Sequence, residues 1–275
     1  DARAIDPRYQ VDDVVEIEVT PKNFGRIAAQ NAKQIVVQRI REAEHGMVFE
    51  RYQSREQDIV TGVIQRMDKQ NVIIDLGKVE AVLAVNEQIP GEIYQCHDRM
   101  KTYILEVKRT SKGTQVMVSR THPGLLKRLF ELEVPEISDG VVEIKSVARE
   151  PGMRSKISVY TQDENIDPVG ACVGHKGMRV QTIVNELRGE KIDIVKYSED
   201  PAQYVANALS PAKVVSTEVN LDEKICRVVV PDYQLSLAIG KEGQNARLAA
   251  KLTGWKIDIK SESQAAEEAY AEGEE

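Results

Sequence analysis

Two short loops in this 275-residue sequence combine glycine with lysine. Val173-Gly174-His175-Lys176-Gly177 is echoed 66 positions later by Ile239-Gly240-Lys241-Glu242-Gly243. Glycine at both ends of a four-residue turn lets the chain reverse without a Cβ clash and lets an anion approach the peptide N–H groups. A helix starting just after the turn adds unpaired N–H donors and partial positive charge, so the ligand such a loop suits is a phosphate. On this reading Gly174, His175, Lys176 and Gly177 form one phosphate site, and Gly240, Lys241, Glu242 and Gly243 a second. Lys176 and Lys241 supply charge, Arg179 and Arg247 reinforce it, and Val173, Val180, Ile239 and Ala246 line the adjoining apolar grooves. Glu242 puts a carboxylate where phosphate should approach, which weakens the second site. The plain alternative is that each glycine pair only joins two helices. Two copies in matched surroundings, each with a lysine, favour the binding reading.

The elements that must position these loops are duplicated as well. Each loop sits between helical patterns and is followed by an identical Lys-Ile-Asp-Ile, at 191–194 and 256–259. A repeat that carries both a glycine loop and a strand defines two homologous units. The first reads helix 124–131, strand 141–149, strand 155–161, a helix ending at Val173, helix 179–187 and strand 191–196. The second reads helix 201–209, strand 214–219, strand 226–230, a helix ending at Ile239, helix 244–252 and strand 255–260. That order, α-β-β-α-α-β, is the type II K-homology arrangement, which clamps about four single-stranded nucleotides.

Upstream, five short strands are predicted at 59–67, 72–76, 80–85, 102–108 and 115–119, with hairpin connections at 68–71 and 111–113. They suit a small closed barrel of the OB type, and an SH3-like barrel fits the periodicity almost as well. Before the barrel, three- and four-residue spacing of apolar residues predicts a long helix from Ile27 to about Glu50, preceded by a strand over 11–20. The last fifteen residues hold six acidic and no basic side chains and read as a disordered tail. The expected architecture is multidomain α+β. Residues 1–52 are the end of an N-terminal α/β domain with its connector helix, 53–122 a five-stranded OB-type barrel, 123–200 and 201–260 tandem type II K-homology domains, and 261–275 the tail.

Composition limits the function classes. The net charge is −7, and most of the acidity lies in the tail, so affinity for nucleic acid has to come from local geometry rather than a general basic field. Cys96, Cys172 and Cys226 are far apart and form no CxxC pair, which argues against a disulfide framework or a zinc site and points to a reducing cytoplasm. Cys172 reads as a small core residue, and Trp255 as packing between helix and sheet. The histidines, His45, His97, His122 and His175, show no metal-binding spacing, and no GxxxxGK[ST] phosphate loop exists. The reading is therefore of a non-enzyme with no metal and no cofactor. No apolar run approaches the ~20 residues that cross a bilayer. Between 53 and 122 the only aromatic side chains are Tyr94 and Tyr103, so base stacking on the barrel is poorly provided for. Lys78, Arg99, Lys101, Lys108 and Arg109 could still meet phosphate, which leaves RNA contact by the barrel open.

The wording of the sequence goes beyond a generic K-homology pattern. Residues 135–156 (PEISDGVVEIKSVAREPGMRSK), 167–181 (DPVGACVGHKGMRVQ), 207–212 (NALSPA) and 236–257 (SLAIGKEGQNARLAAKLTGWKI) resemble the tandem K-homology region of the NusA family. Residues 26–34 (GRIAAQNAK) and 75–92 (DLGKVEAVLAVNEQIPGE) resemble the junction between that family's polymerase-binding domain and its S1-type barrel. The similarity runs from about Val14 to Lys260. It implies a bacterial elongation factor that binds RNA polymerase and nascent single-stranded RNA. Such a factor modulates pausing, termination and antitermination with other elongation and antitermination factors. The start at Asp1 suggests a fragment holding only the last strand and helix of the polymerase-binding domain. A cytoplasmic monomer is expected, with the short link at 197–201 packing the two units into one RNA track. Two alternatives remain. One is the RNA-binding end of a 3′-exoribonuclease such as polynucleotide phosphorylase, whose K-homology unit is single and precedes the barrel. The other is an interaction scaffold that no longer binds RNA.

Overall fold

In the computed structural model the described residues are Arg8, 25–110 and 113–272; the strand expected over 11–20 and loop residues 111–112 lie outside them. The chain divides into two units, Asp1–Met47 and Val48–Glu275. Most of helix α1 (Arg26–Gln53) belongs to the first, whose exposed face includes Ile27, Ile35 and Ile40. The last turn of α1 contributes Val48, Phe49 and Tyr52 to the barrel core of the second unit.

Strands β1 (Ile59–Asp68), β2 (Asn71–Asp75), β3 (Glu80–Leu83), β4 (Arg99–Thr110) and β5 (Gly113–Ser119) close into a barrel in the order β1-β2-β3-β5-β4. Every contact between neighbours is antiparallel except β3 with β5, the parallel closure of an OB barrel. Alternation puts Ile64, Val72, Ile74, Leu83, Val116 and Val118 inside, each fully buried. The β1–β2 turn is tight: Lys69 and Gln70 both take positive φ (46° and 71°), as a two-residue hairpin requires.

Each repeat folds as α-β-β-α-α-β. The first comprises α2 (Pro123–Glu133) with a short α3 (Pro135–Ser138), β6 (Val142–Glu150), β7 (Arg154–Thr161), α4 (Pro168–Val173), α5 (Met178–Glu186) and β8 (Lys191–Lys196). The second comprises α6 (Pro201–Ala208), β9 (Ser216–Asn220), β10 (Ile225–Val230), α7 (Leu235–Ile239), α8 (Gln244–Thr253) and β11 (Lys256–Ser261). In both sheets the central strand pairs antiparallel with its predecessor and parallel with the strand that follows the loop. The helix starts are written locally. His122, Asp167 and Asp200 each accept a hydrogen bond from a first-turn N–H, and Pro123, Pro168 and Pro201 follow them at the first helical position.

The acidic tail is a correction. Residues 262–272 form helix α9 (Glu262–Glu272) rather than a disordered segment. Ser261 and Gln264 bond reciprocally across its first turn, a capping box, and Ser263 bonds Asp232 through both backbone and side chain. Alanines between the glutamates supply helix propensity that net charge alone conceals.

The two repeats pack together as expected. Ala148 and Val195 of the first sheet are buried in the core of the second repeat, against Tyr204, Val205, Ala208 and Leu252. The Tyr204 hydroxyl lies within hydrogen-bonding distance of Ser158 Oγ (2.9 Å) and the Leu252 carbonyl (3.1 Å). Lys156 is fully buried at this seam and donates to Asp193 (2.9 Å) and to the Ser210 carbonyl (2.8 Å). Barrel and first repeat also share a core through Ile59 and Tyr103. Two buried ion pairs reinforce that junction. Arg120 bonds Glu92 and the backbone carbonyls of Lys101 and Glu186; Arg149 bonds both oxygens of Glu190 (2.8 and 2.9 Å) and the His122 carbonyl.

Candidate nucleic-acid interface

In the first loop Gly174 closes α4 by donating to the Gly170 carbonyl (2.9 Å), with φ 75° and ψ 176°. A single 3-10 turn, His175–Gly177, follows, and Gly177 (φ 76°, ψ 13°) starts α5 without a side-chain cap. The second loop repeats this within a few degrees: Gly240 at φ 76° and ψ 171°, Gly243 at φ 71° and ψ 15°, and α8 again uncapped. The Met178 and Gln244 N–H groups bond the His175 and Lys241 carbonyls across each turn, no side chain caps α5 or α8, and the positive ends of the two helix dipoles face the loops.

The two glycines of each loop do different work. A Cβ on Gly240 would lie 2.8 Å from the Asn245 backbone nitrogen, and one on Gly174 would lie 2.6 Å from Arg179 Cγ. A Cβ on Gly177 or Gly243 would meet nothing within 4 Å. The first glycine lets α4 and α5, or α7 and α8, approach closely, and the second faces open space.

His175, Lys176, Lys241 and Glu242 are all exposed on the loops, and among the described residues none of their side chains has a hydrogen-bond or ion-pair partner. The lysines do not occupy equivalent places. Lys176 and Glu242 share the second inner position and positive φ (50° and 55°), while Lys241 corresponds to His175. Val173, Val180 and Ala246 are partly buried beside the loops and Ile239 is exposed, so an apolar margin adjoins each loop.

Arg179 and Arg247 are placed otherwise than as free phosphate ligands. Arg179 Nη1 donates to Glu136 (2.9 Å) and to the Ala171 carbonyl (2.7 Å), tying α5 to α3 and α4. Arg247 donates to Glu150 of the first repeat (2.6 Å) and to the Glu242 carbonyl (3.1 Å), and Gln244 also reaches Glu150 (2.8 Å). The Arg247 guanidinium holds the Glu150 carboxyl below its usual range against the opposing effect of partial burial, and Gln244 adds to this. Sequence reasoning missed Asn245, which stands where Arg179 does in the other repeat. Buried, it donates to the Leu209 (3.1 Å) and Ala238 (2.9 Å) carbonyls and pins the second loop. The 66-residue offset that aligns the loops also aligns Arg179 with Asn245 and Arg247 with Gln181, so the repeat itself carried this signal.

Burial pushes the Cys172 thiol up to about 12, beneath the first loop, so it stays protonated and packs as an apolar group. Trp255 packs partly buried against the second core. On the barrel Tyr103 is buried and stacks on His122 (centroids 4.5 Å apart, 7° between planes). Tyr94 is half-buried, its phenol raised well above the usual range by burial and the neighbouring Glu92. The Tyr103 ring is thus taken up inside the protein, and Tyr94 is only partly exposed. Lys101 and Lys108 pair with Glu186 and Glu106, and Arg109 lies over the Phe49 ring at 4.3 Å.

A closed OB barrel followed by two K-homology folds, each presenting an uncapped glycine–lysine loop, defines a multidomain protein of the nucleic-acid-binding class. Family models match in the same order along the chain. They are the NusA N-terminal domain over residues 1–46, the S1 RNA binding domain over 54–119, the NusA-like first KH domain over 120–197 and the NusA-like second KH domain over 201–267. The last match runs beyond residue 260 into α9. The chain is 68% identical over 274 residues to the transcription termination/antitermination protein NusA of Halalkalibacterium halodurans, covering 100% of this chain and 72% of that protein. To the Bacillus subtilis protein of the same name it is 67% identical over 267 residues, covering 97% and 72%. To that of Thermus thermophilus it is 46% identical over 258 residues, covering 94% and 67%. The chain belongs to the NusA family.

Proposed function

We propose that this protein is an RNA-binding transcription termination and antitermination factor that holds nascent single-stranded RNA on its two glycine–lysine loops. RNA polymerase and other elongation and antitermination factors are its partners on this reading, it works in the cytoplasm, and no catalytic step is part of it. The observation that carries the reading is the pair of loops in which the second glycine faces open space in front of an uncapped helix start. Backbone phosphates would sit there, with Lys176, Lys241 and His175 beside them and bases against Val173, Val180, Ile239 and Ala246. Among the described residues no helix is long and apolar enough to cross a membrane. With Tyr103 buried and Tyr94 half-buried, the barrel has little on which to stack a base, which favours the K-homology repeats for the main part in RNA binding.

The test is anisotropy of labelled single-stranded RNA at two salt concentrations, comparing wild type with a His175→Asp/Lys176→Asp/Lys241→Asp variant of unchanged circular dichroism. Salt-sensitive binding by wild type and its loss in the folded variant would support the loops as the site. Equal binding by both would move the RNA elsewhere on the protein.

A further inference from the structure

A cleft at the seam of the two repeats has no role in the reading above. It is open, about 540 Å³ in volume, and is walled by Ile194 and Lys196 at the free edge of β8 and by Gln203, Asn207, Pro211 and Lys213 of the second repeat. No carboxylate lines it. The wall is fixed by a chain of amides: Gln203 donates to Asn207 (2.8 Å), and Asn207 donates to the Lys196 carbonyl (3.0 Å). Lys196 and Lys213 are exposed, and neither ammonium has a partner among the described residues.

Joined to the cleft wall through Gln234 is an aromatic ring that nothing among the described residues covers. Tyr233, at 83%, is the most exposed large hydrophobic side chain among the described residues, yet it is oriented. Gln234 accepts a hydrogen bond from the Lys213 backbone N–H (2.6 Å) and donates to the Tyr233 hydroxyl (3.3 Å), so one side chain ties ring and cleft wall together. From Tyr233 the chain enters α7, where Leu237 and Ile239 are also exposed, and α7 ends at Gly240 of the second loop. Two free ammonium groups, an exposed ring and an apolar helix face therefore lead in sequence to a phosphate loop.

The sister cleft shows that this chemistry is not a by-product of the fold. At the matching place on the second repeat, Asp258, Ile259, Lys260, Gln264, Glu267 and Glu268 line an opening of about 480 Å³. Its one lysine is paired with Asp258 and Glu268. The same strand edge is basic at the seam and acidic beyond the second repeat.

We propose that the seam cleft and Tyr233 form a bridging subsite for single-stranded RNA passing from the first loop to the second. Lys196 and Lys213 meet the backbone phosphates there, and Tyr233 stacks on a base. This rests on the two-loop reading and adds nucleotides that neither loop touches. Stacking suits any base, so the bridge adds affinity and fixes spacing without demanding sequence.

The experiment measures binding of two RNAs: a tetranucleotide, which one loop can hold, and a strand of about twelve nucleotides, enough for two loops of about four each and the link between them. Tyr233→Ala is expected to weaken the longer RNA roughly tenfold and leave the tetranucleotide unchanged, with Tyr233→Phe binding like wild type. Lys196→Ala/Lys213→Ala is expected to lower the salt dependence for the longer RNA by about two phosphate contacts. Unchanged affinity of Tyr233→Ala for the longer RNA overturns the bridge. An equal loss for both lengths overturns it too, because the ring then belongs to the second loop. The loop variant separates the two readings: if it binds the longer RNA normally, the loops fail as the site whatever Tyr233 does.

Discussion

The division of labour within each glycine pair gives a sharp test in the second loop, comparing Gly240→Ala with Gly243→Ala. Gly240 has φ 76° and ψ 171°, a region that is essentially closed to side chains and costs about 1–3 kcal/mol. Its new Cβ would also press on backbone, 2.8 Å from the Asn245 nitrogen and 2.9 Å from the Asn245 Cβ, so α7 and α8 would have to part. Together these come to roughly 3–5 kcal/mol, at the upper end of single-site effects. Gly243, at φ 71° and ψ 15°, carries only the left-handed penalty of about 1–2 kcal/mol, since its Cβ meets nothing. In a folded unit of this size 1 kcal/mol shifts Tm by about 2–4 °C. Gly240→Ala should therefore melt roughly 10 °C below wild type and Gly243→Ala only a few degrees below. RNA binding should separate them the other way. At a temperature where both are folded, Gly243→Ala should lose about tenfold in affinity, about 1.4 kcal/mol, because its methyl stands where the phosphate has to approach. Differential scanning fluorimetry and RNA anisotropy on the same samples make the comparison. If Gly240→Ala is as stable as Gly243→Ala, the close approach of α7 and α8 is wrong. If Gly243→Ala binds RNA like wild type, the open side of the loop is not the phosphate position.

Three other outcomes follow from the geometry. Glu242→Lys, at the position Lys176 holds in the first loop, should tighten RNA binding several-fold at low salt and less at high salt, read by anisotropy. Replacing Arg149 or Glu190 alone should destabilise by about 3–5 kcal/mol in urea, while Arg149→Met/Glu190→Met together should cost less than the sum, since neither charge is then buried alone. Burial alone would raise the Glu190 pKa, but Arg149, Ser155 and the Gly152 N–H outweigh it and hold the group below the ordinary value of about 4.3. The stability this pairing contributes is complete above the unfolded value and is lost as pH falls through the lower folded one. The stability gap between wild type and Glu190→Gln should therefore be constant near neutrality and narrow below about pH 4, as followed by urea midpoints.

Much of this architecture was legible because local rules agree with the fold. The proline-started helices, the alternation of Val72, Ile74, Leu83 and Val116, and the repeated Lys-Ile-Asp-Ile all locate elements to within a few residues. The loops were legible because glycine and lysine have few other reasons to recur together between helices. What escaped were facts of long-range partnership. Nothing near Arg179 in sequence announces Glu136, and nothing near Arg247 announces Glu150, so both arginines read as free cations. The helix at 262–272 was hidden because its charge suggested disorder, while its start depends on Asp232, some thirty residues away. Tyr233 was passed over because exposure cannot be read from a side chain that would be equally at home in a core.

The row of residues crossing each K-homology sheet says where this architecture stops. In the first repeat Ala148, Lys156 and Asp193 stand in register, and the second repeat covers them, burying Lys156 completely. The equivalent row in the second repeat is Glu218, Arg227 and Asp258, and all three side chains are exposed. A further copy stacked there would have to strip water from three charges with only one cation among them. The second repeat is thus a terminating cap as well as a sister unit. Among the described residues the stacking of repeats stops at the second, on a sheet face that solvates better than it packs, as the outer faces of solenoid end modules do.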